Sequence, residues 1–422
     1  MIPRLKDIPT NVIRALQLIR SRKPMLGTDP EFFIANKAGS ILPSDKFLPG
    51  KHDKLKIAEN KYHTIFFDGI QAEINVPANC CRELIASSVR QALIAAKNKI
   101  GTDYDIVVQP SVRVSKACIE SADPEARIFG CMPDFNAYTC GQNTPEMDAT
   151  NHLYRYAGGH IHVGISSDYL KAPNKEYMIA KTPDGHLKVI KMMDYLAGVL
   201  LVLLDRSKAA VRRRDKYGKA GCFRPTPYGV EYRTPSCWWL KSPMTLSLIF
   251  GMVRLAWNIC SSDGQDELLL KQMKYSFDDA RCIIDESDIK EAKKFWKTLR
   301  PYVASMSINT YNPLHYWTHV NSQNITDEDK GLAESIKSEA YDGKSVLAMI
   351  DYMIANGGVE PFISSDILQE WQVDMDNGKA QTTSRNVSYN GIRSRLWVDS
   401  EGKRSWLKDF CTYSTDYFNN II

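Results

Sequence analysis

Four short β-prone runs in this sequence each carry polar side chains one residue apart. "GTDPEFF" holds Asp29 and Glu31. "DGIQAEIN" holds Gln71, Glu73 and Asn75, with Asp68 at the turn before them. "GGHIHVG" holds His160 and His162, and "GVEYRTP" holds Glu231 and Arg233. Side chains alternate between faces along a strand, so each set points one way. A wet face on an antiparallel sheet is the plain explanation of any single pair. Glu231 with Arg233 alone reads as a local ion pair of small worth. A merely wet face, however, would be filled with Thr, Lys, Ser and Glu, whereas these runs supply mostly carboxylates and imidazoles. Magnesium and manganese take carboxylate oxygen, and manganese also accepts imidazole. Carboxylates converging on one concave sheet face would suit two or more such ions bridging nucleotide phosphates.

A second cluster, "VRRRDKYGKAGCFRPTPYGVEYRT", interleaves Arg212, Arg213, Arg214, Lys216, Lys219, Arg224 and Arg233 with glycines. Guanidinium forks match phosphoryl oxygens and glycines allow close backbone approach. Arg214, Arg224 and Arg233 are therefore candidate phosphate contacts, the alternative for Arg212–Arg214 being a solvated basic loop. The spacing is not that of a P-loop, so a nucleotide here is not held in Walker fashion.

The elements that must position these residues alternate in the first half of the chain. Strands are expected at Met25–Ala35, Thr64–Pro77, Asp105–Ser115, Gly158–Ile165 and Gly229–Ser236. Helices are expected at Arg82–Gly101 and Val189–Asp205. Beyond about Ser242 the pattern turns mostly helical, with Met244–Ser261, Asp266–Asp279, Ile289–Leu299, Asp327–Ser338 and Lys344–Asn356 as candidates. This is an α+β chain. Its 422 residues, 44% hydrophobic and 24% charged, suffice for one large domain with appendages or two ordinary ones. A net charge of +5 is compatible with an anionic substrate but is no argument for a nucleic-acid partner. Ten scattered cysteines without CxxC read as reduced thiols of a cytoplasmic protein. The basic N-terminal run is spaced helically, and the apolar run ending at Asp205 is too short to span a bilayer.

Taken in order, "GTDPEFF", "DGIQAEINVP", "FGCMPDFNAYT", "GGHIHVG" and "YGVEYRTPS" resemble the glutamine synthetase and γ-glutamylcysteine synthetase superfamily. More narrowly, they resemble the phage-associated type two carboxylate–amine ligases, or amidoligases. The likeness runs from about Met25 to Trp239, and the region after Ser242 follows only by continuity. It implies a glutamine synthetase-like catalytic domain over residues 1–262, with a curved antiparallel sheet flanked by helices. A mostly helical region, 263–422, would pack on it or form a separate lobe. The resemblance further implies ATP and two or three Mg2+ or Mn2+ ions held by Asp29, Glu31, Glu73, His160 and Glu231. His162 and Arg233 would touch the nucleotide phosphates, with Arg224 as a further candidate. Asp134 and Asn136, in the motif of the narrower family, are candidates for substrate recognition, a turn being the alternative. Two positions depart from the superfamily pattern: Asp68 stands closer to Gln71 than the usual acidic residue does, and Gly229 replaces an arginine before Glu231.

The reaction implied is phosphorylation of a carboxylate by ATP, attack of an amine on the acyl phosphate, and release of an amide, ADP and phosphate. Asp134 or Asp68 would serve as general base or cation site. The substrates, small or macromolecular, are a carboxylate and an amine. Nucleic acid enters only as a substrate, no membrane is involved, and an oligomer is compatible. If the chain is phage-encoded, the compartment is the host cytoplasm. Two other readings compete: a guanidino-kinase-like phosphotransferase, which would leave a phosphorylated product, and a non-catalytic phage protein that binds nucleic acid through Arg206–Lys219.

Overall fold

The computed structural model describes residues 24–393 apart from 58–60, 81, 129–133, 144–151, 166–173, 307–349, 352, 361–362, 364–365, 372, 377, 383–387 and 390–391. The N-terminal basic run, Cys81, the helix expected at Asp327–Ser338 and the first part of that at Lys344–Asn356 lie outside the described residues.

The strands that matter here are β1 (Met25–Asn36), β2 (Thr64–Asp68), β3 (Gln71–Asn79), β4 (Asp134–Asn136), β5 (Gly159–Gly164), β6 (Cys222–Thr226) and β7 (Gly229–Tyr232). They lie in one sheet in the order β2-β3-β1-β5-β7-β6-β4, each neighbour antiparallel. The architecture is α+β, a large antiparallel sheet flanked by helices. The expected strand at Asp105–Ser115 is two pieces, Tyr104–Val107 and Ser111–Arg113, in different sheets. Pro110 between them has no N–H to continue a ladder.

Helices cover one face. They are α1 (Arg82–Ile100), α2 (Pro183–Met193), α3 (Val199–Leu204), α4 (Lys208–Lys216), α5 (Pro243–Cys260), α6 (Gln265–Met273), α7 (Phe277–Asp285) and α8 (Ile289–Met306). The stretch expected as one helix over Val189–Asp205 is helical throughout but carries a π turn, Asp194–Gly198, between α2 and α3. The helix expected over Asp266–Asp279 breaks into α6 and α7, because Lys274 adopts a left-handed conformation (φ 56°) and Ser276 with Asp279 forms a capping box. One hydrophobic cluster joins strand residues Ile74, Ile161 and Tyr232 to Leu196 and Trp257, and then to Leu269, Ile283, Phe295 and Trp371. The described residues beyond 262 therefore share the core of the sheet. They are not all helical: Val373–Asp376 and Lys379–Thr382 form a hairpin, and Asn98 of α1 donates to Ala380 O at 3.2 Å.

Candidate active site

Strand register explains how the polar residues meet. Cross-strand partners face the same side, and the register sets Glu31 opposite Glu73, Asp29 opposite His160, and His162 and Arg224 opposite Glu231. Asp68 stands opposite Gln71 across a turn in which Gly69 is left-handed (φ 65°). The polar face of the adjacent strands lines a cavity of about 300 Å3. The apolar alternates Ile65, Ile74, Ile161 and Tyr232 point into the core.

Two groups of ligand-type atoms form on this face, each with its atoms within 4.8 Å of one another: Asp29, His162 and Glu231, and Glu31, Asp68 and Glu73. In the first, His162 Nε2 lies 3.1 Å from Asp29 Oδ2, and its Nδ1 is 2.6 Å from the Tyr228 hydroxyl. Burial lowers the His162 pKa, but the Asp29 charge and hydrogen bond outweigh it and raise it overall. Burial likewise pushes Asp29 up, yet His162 and His160 together hold its carboxyl well below the usual range. The second group is under-compensated. Burial raises both Glu31 and Glu73, and at Glu73 the charges of Asp29, Asp68 and Glu31 push it well above a normal glutamate. Lys51, 2.9 Å from Asp68, is the cation at its edge.

Arginines form the opposite wall. Arg233 is ion-paired to Glu231, lies 2.5 Å from Asp134 Oδ1, and donates to the Tyr217 hydroxyl. Arg224 Nη1 is 3.2 Å from the second Glu231 oxygen. Burial lowers the Arg233 pKa, but Tyr217, Glu231 and Asp134 raise it overall. It is a permanent cation.

The donor set fits a hard divalent cation. It is rich in carboxylate oxygen, and two buried acceptors, Asp29 Oδ1 and Gln71 Oε1, lack a hydrogen-bond partner. Buried acceptors normally find one.

Several sequence expectations change. His160 and His162 share a face as expected; His162, expected at phosphate, groups with Asp29 and Glu231, while His160 stands beside the same two carboxylates and lines the cavity. His160 is 4% exposed, with Nδ1 3.5 Å from Asp29 and 3.4 Å from Glu231 and with Nε2 3.1 Å from the Tyr217 hydroxyl. Arg214 does not line the cavity. Its Nε donates to Ser287 Oγ at 2.8 Å and its Nη2 to Asp205 O, because α4 turns it into the helical layer. Arg213 is buried too, donating to Thr234 O and Arg233 O, so two of the three arginines Arg212–Arg214 are internal. Asp134 is closed off, 3% exposed, against Arg233. Asn136 caps its own turn, accepting from the Tyr138 and Thr139 amides. Sequence reasoning missed Lys51, Lys54, Arg155 and Tyr217, which also line the cavity. Only the lysine-rich loop "GKHDKLK" carried a local signal.

Residues 182–330 match the phage phiEco32-like COOH.NH2 ligase-type 2 family. The matched span holds Arg224, Glu231 and Arg233 and continues past Ser242. It does not include the strands of Asp29, Glu73 and the two histidines, on which the resemblance in the sequence also rests. Among solved structures, a bifunctional glutathione synthetase from Pasteurella multocida aligns over 87% of this chain at 11% identity with a TM-score of 0.36. The chain spans 58% of that protein's length. No curated protein matches. Among the described residues, no helix is long and apolar enough to cross a membrane.

Proposed function

We propose that this protein is an ATP-dependent carboxylate–amine ligase on a glutamine synthetase-like sheet, with the cleft of Asp29, Glu31, Glu73, His162, Glu231, Arg224 and Arg233 as its active site. The observation that carries the reading is the convergence of Asp29, Glu31, Asp68, Glu73 and His160 from separate strands on one cavity that Arg224 and Arg233 also line, with His162 and Glu231 grouped on Asp29 beside it. The match of residues 182–330 to a ligase family supports it. Two Mg2+ or Mn2+ ions, one held by Asp29, His162 and Glu231 and one by Glu31 and Glu73, would neutralise phosphate oxygens of ATP during transfer. His162 thus takes the metal role that the sequence reading gave to His160. His160, between Tyr217 and the carboxylates, orients Arg233.

A carboxylate does not condense with an amine at neutral pH, because oxide is a poor leaving group. Transfer of the γ-phosphoryl group to the carboxylate gives an acyl phosphate and ADP, and attack by the amine then expels phosphate. Arg233 and Arg224 stabilise the charge on the transferring group from the far side. Asp68, on the cavity wall, takes the proton of the attacking ammonium. Asp134 is too enclosed for that task.

The test is ATP turnover with Mg2+ or Mn2+ and pooled amines and carboxylates, comparing the intact chain with Glu31→Gln and identifying products by mass. ADP and phosphate formed only with both substrates, with an amide lost in the variant, is the expected result. A stable phosphorylated product would select the guanidino-kinase reading. Failure to bind ATP in calorimetry would overturn both.

A further inference from the structure

Asp194 is the only charged residue between Lys191 and Asp205, and it is fully buried. It lies behind the sheet, on the side away from the cleft. Tyr232 alternates with Glu231 and Arg233 and so points to the helical layer, where its hydroxyl donates to Asp194 Oδ1 at 2.7 Å. Asp194 Oδ2 accepts from the Gly221 amide at 2.6 Å. One carboxylate thus touches both strands that carry the arginines: β7 at its end and β6 just before its start.

The local backbone is built for this contact. Asp194 opens the π turn, a device that re-aims side chains within a helix. Gly198, closing the same turn, leaves the room: a Cβ there would stand 3.1 Å from the Tyr232 hydroxyl and 3.2 Å from Asp194 Oδ1. Gly221 is left-handed (φ 78°), and a Cβ on it would strike the Tyr138 ring at 2.6 Å. Beside it, the Ala220 amide is held by Asp285 Oδ1 at 2.8 Å. The segment so anchored begins with Tyr217, whose hydroxyl bonds His160 and Arg233. A buried carboxylate is an expensive way to fill a core.

Resting on the reading of the cleft given above, we propose that Asp194 is a positioning residue. It clamps β6 and β7 from behind and thereby sets where Glu231, Arg233 and Tyr217 stand in the cleft.

The experiment uses the full chain with Asp194→Asn, Tyr232→Phe, their combination, and Leu196→Ala as a core-truncation control. Two quantities are read: the dissociation constant for Mn2+ by calorimetry, and the imidazole carbon–proton resonances of the metal-free protein. Asp194→Asn and Tyr232→Phe should each weaken Mn2+ at least tenfold. The double variant should be no weaker than Asp194→Asn, since one link is broken either way. Both should move the His160 and His162 signals and leave those of His52 and His63. Leu196→Ala should lower the melting temperature with Mn2+ affinity kept within twofold. The proposal falls if Asp194→Asn and Tyr232→Phe keep Mn2+ within twofold and the imidazoles unmoved, or if Leu196→Ala weakens Mn2+ as much as they do. Should the intact chain take up no Mn2+, the metal reading of the cleft fails by itself. The imidazole signals then decide: movement keeps the clamp and immobility ends it. If Asp194→Asn does not fold, Tyr232→Phe decides alone.

Discussion

Replacing Glu73 by Gln should make the metal-free protein more stable while removing its response to metal. Carboxylate oxygens of Glu31, Asp68 and Glu73 lie within 4.8 Å of one another, and two unit charges at that distance repel by about 3 kcal/mol at an effective dielectric constant of 20. Lys51 beside Asp68 offsets part of this, and water in the cavity screens more. The protein also relieves it by keeping a proton: burial, then Asp29, Asp68 and Glu31, hold Glu73 well above its ordinary pKa of 4.5. A carboxyl raised in the fold binds a proton that the unfolded chain has lost, so stability falls as pH rises from about the ordinary value toward the folded one. Glu73→Gln removes that decline. The gain should be near zero at pH 5 and reach about 1–2 kcal/mol at pH 8. With excess Mn2+ the order reverses, since saturation at a hundred times the dissociation constant stabilises the intact chain by about 2.7 kcal/mol and the variant loses most of it. Urea titrations in EDTA and then in MnCl2, at several pH values, read both effects. A variant less stable than the parent at pH 8 in EDTA, or a difference flat with pH, would refute the reasoning.

Four further outcomes follow from the same geometry. Burial pushes Asp194 up to about 7 from 3.8 despite its bonds from Tyr232 and Gly221; its ionisation should therefore cost the fold on the order of 4 kcal/mol, appearing as stability lost between about pH 4 and 7. Denaturation of Asp194→Asn should lack that slope. Arg214→Ala, which removes the donors to Ser287 Oγ and to the Asp205 carbonyl in the helical layer, should lower stability by about 2–4 kcal/mol yet leave ATP affinity unchanged in calorimetry. Arg224→Ala should do the opposite, weakening ATP at least tenfold at nearly constant melting temperature. Tyr217→Phe, which removes the hydroxyl between His160 and Arg233, should slow ATP turnover roughly tenfold, the size of one lost charge-assisted hydrogen bond. Unchanged turnover would show that Arg233 needs no support from Tyr217.

What the sequence determined by itself was parity. The two-residue period of a strand is local, so Asp29 with Glu31, Gln71 with Glu73, His160 with His162 and Glu231 with Arg233 had to share faces wherever strands formed there. Helix stops were local too, as at Gly101, left-handed after α1 (φ 83°). Tertiary structure decided which pairs meet. The order β2-β3-β1-β5-β7-β6 brings Glu73 to Glu31 and His162 to Glu231 across gaps of 42 and 69 residues, and no local spacing encodes such pairings. It also gave the two histidines different partners around one carboxylate, Tyr217 for His160 and Tyr228 for His162, and sorted one basic loop into Arg213 and Arg214, turned inward by α4, and Arg224, turned to the cleft by β6. Chemical type and strand period are properties of neighbours in the chain, whereas register and burial depend on partners that only the folded chain brings together.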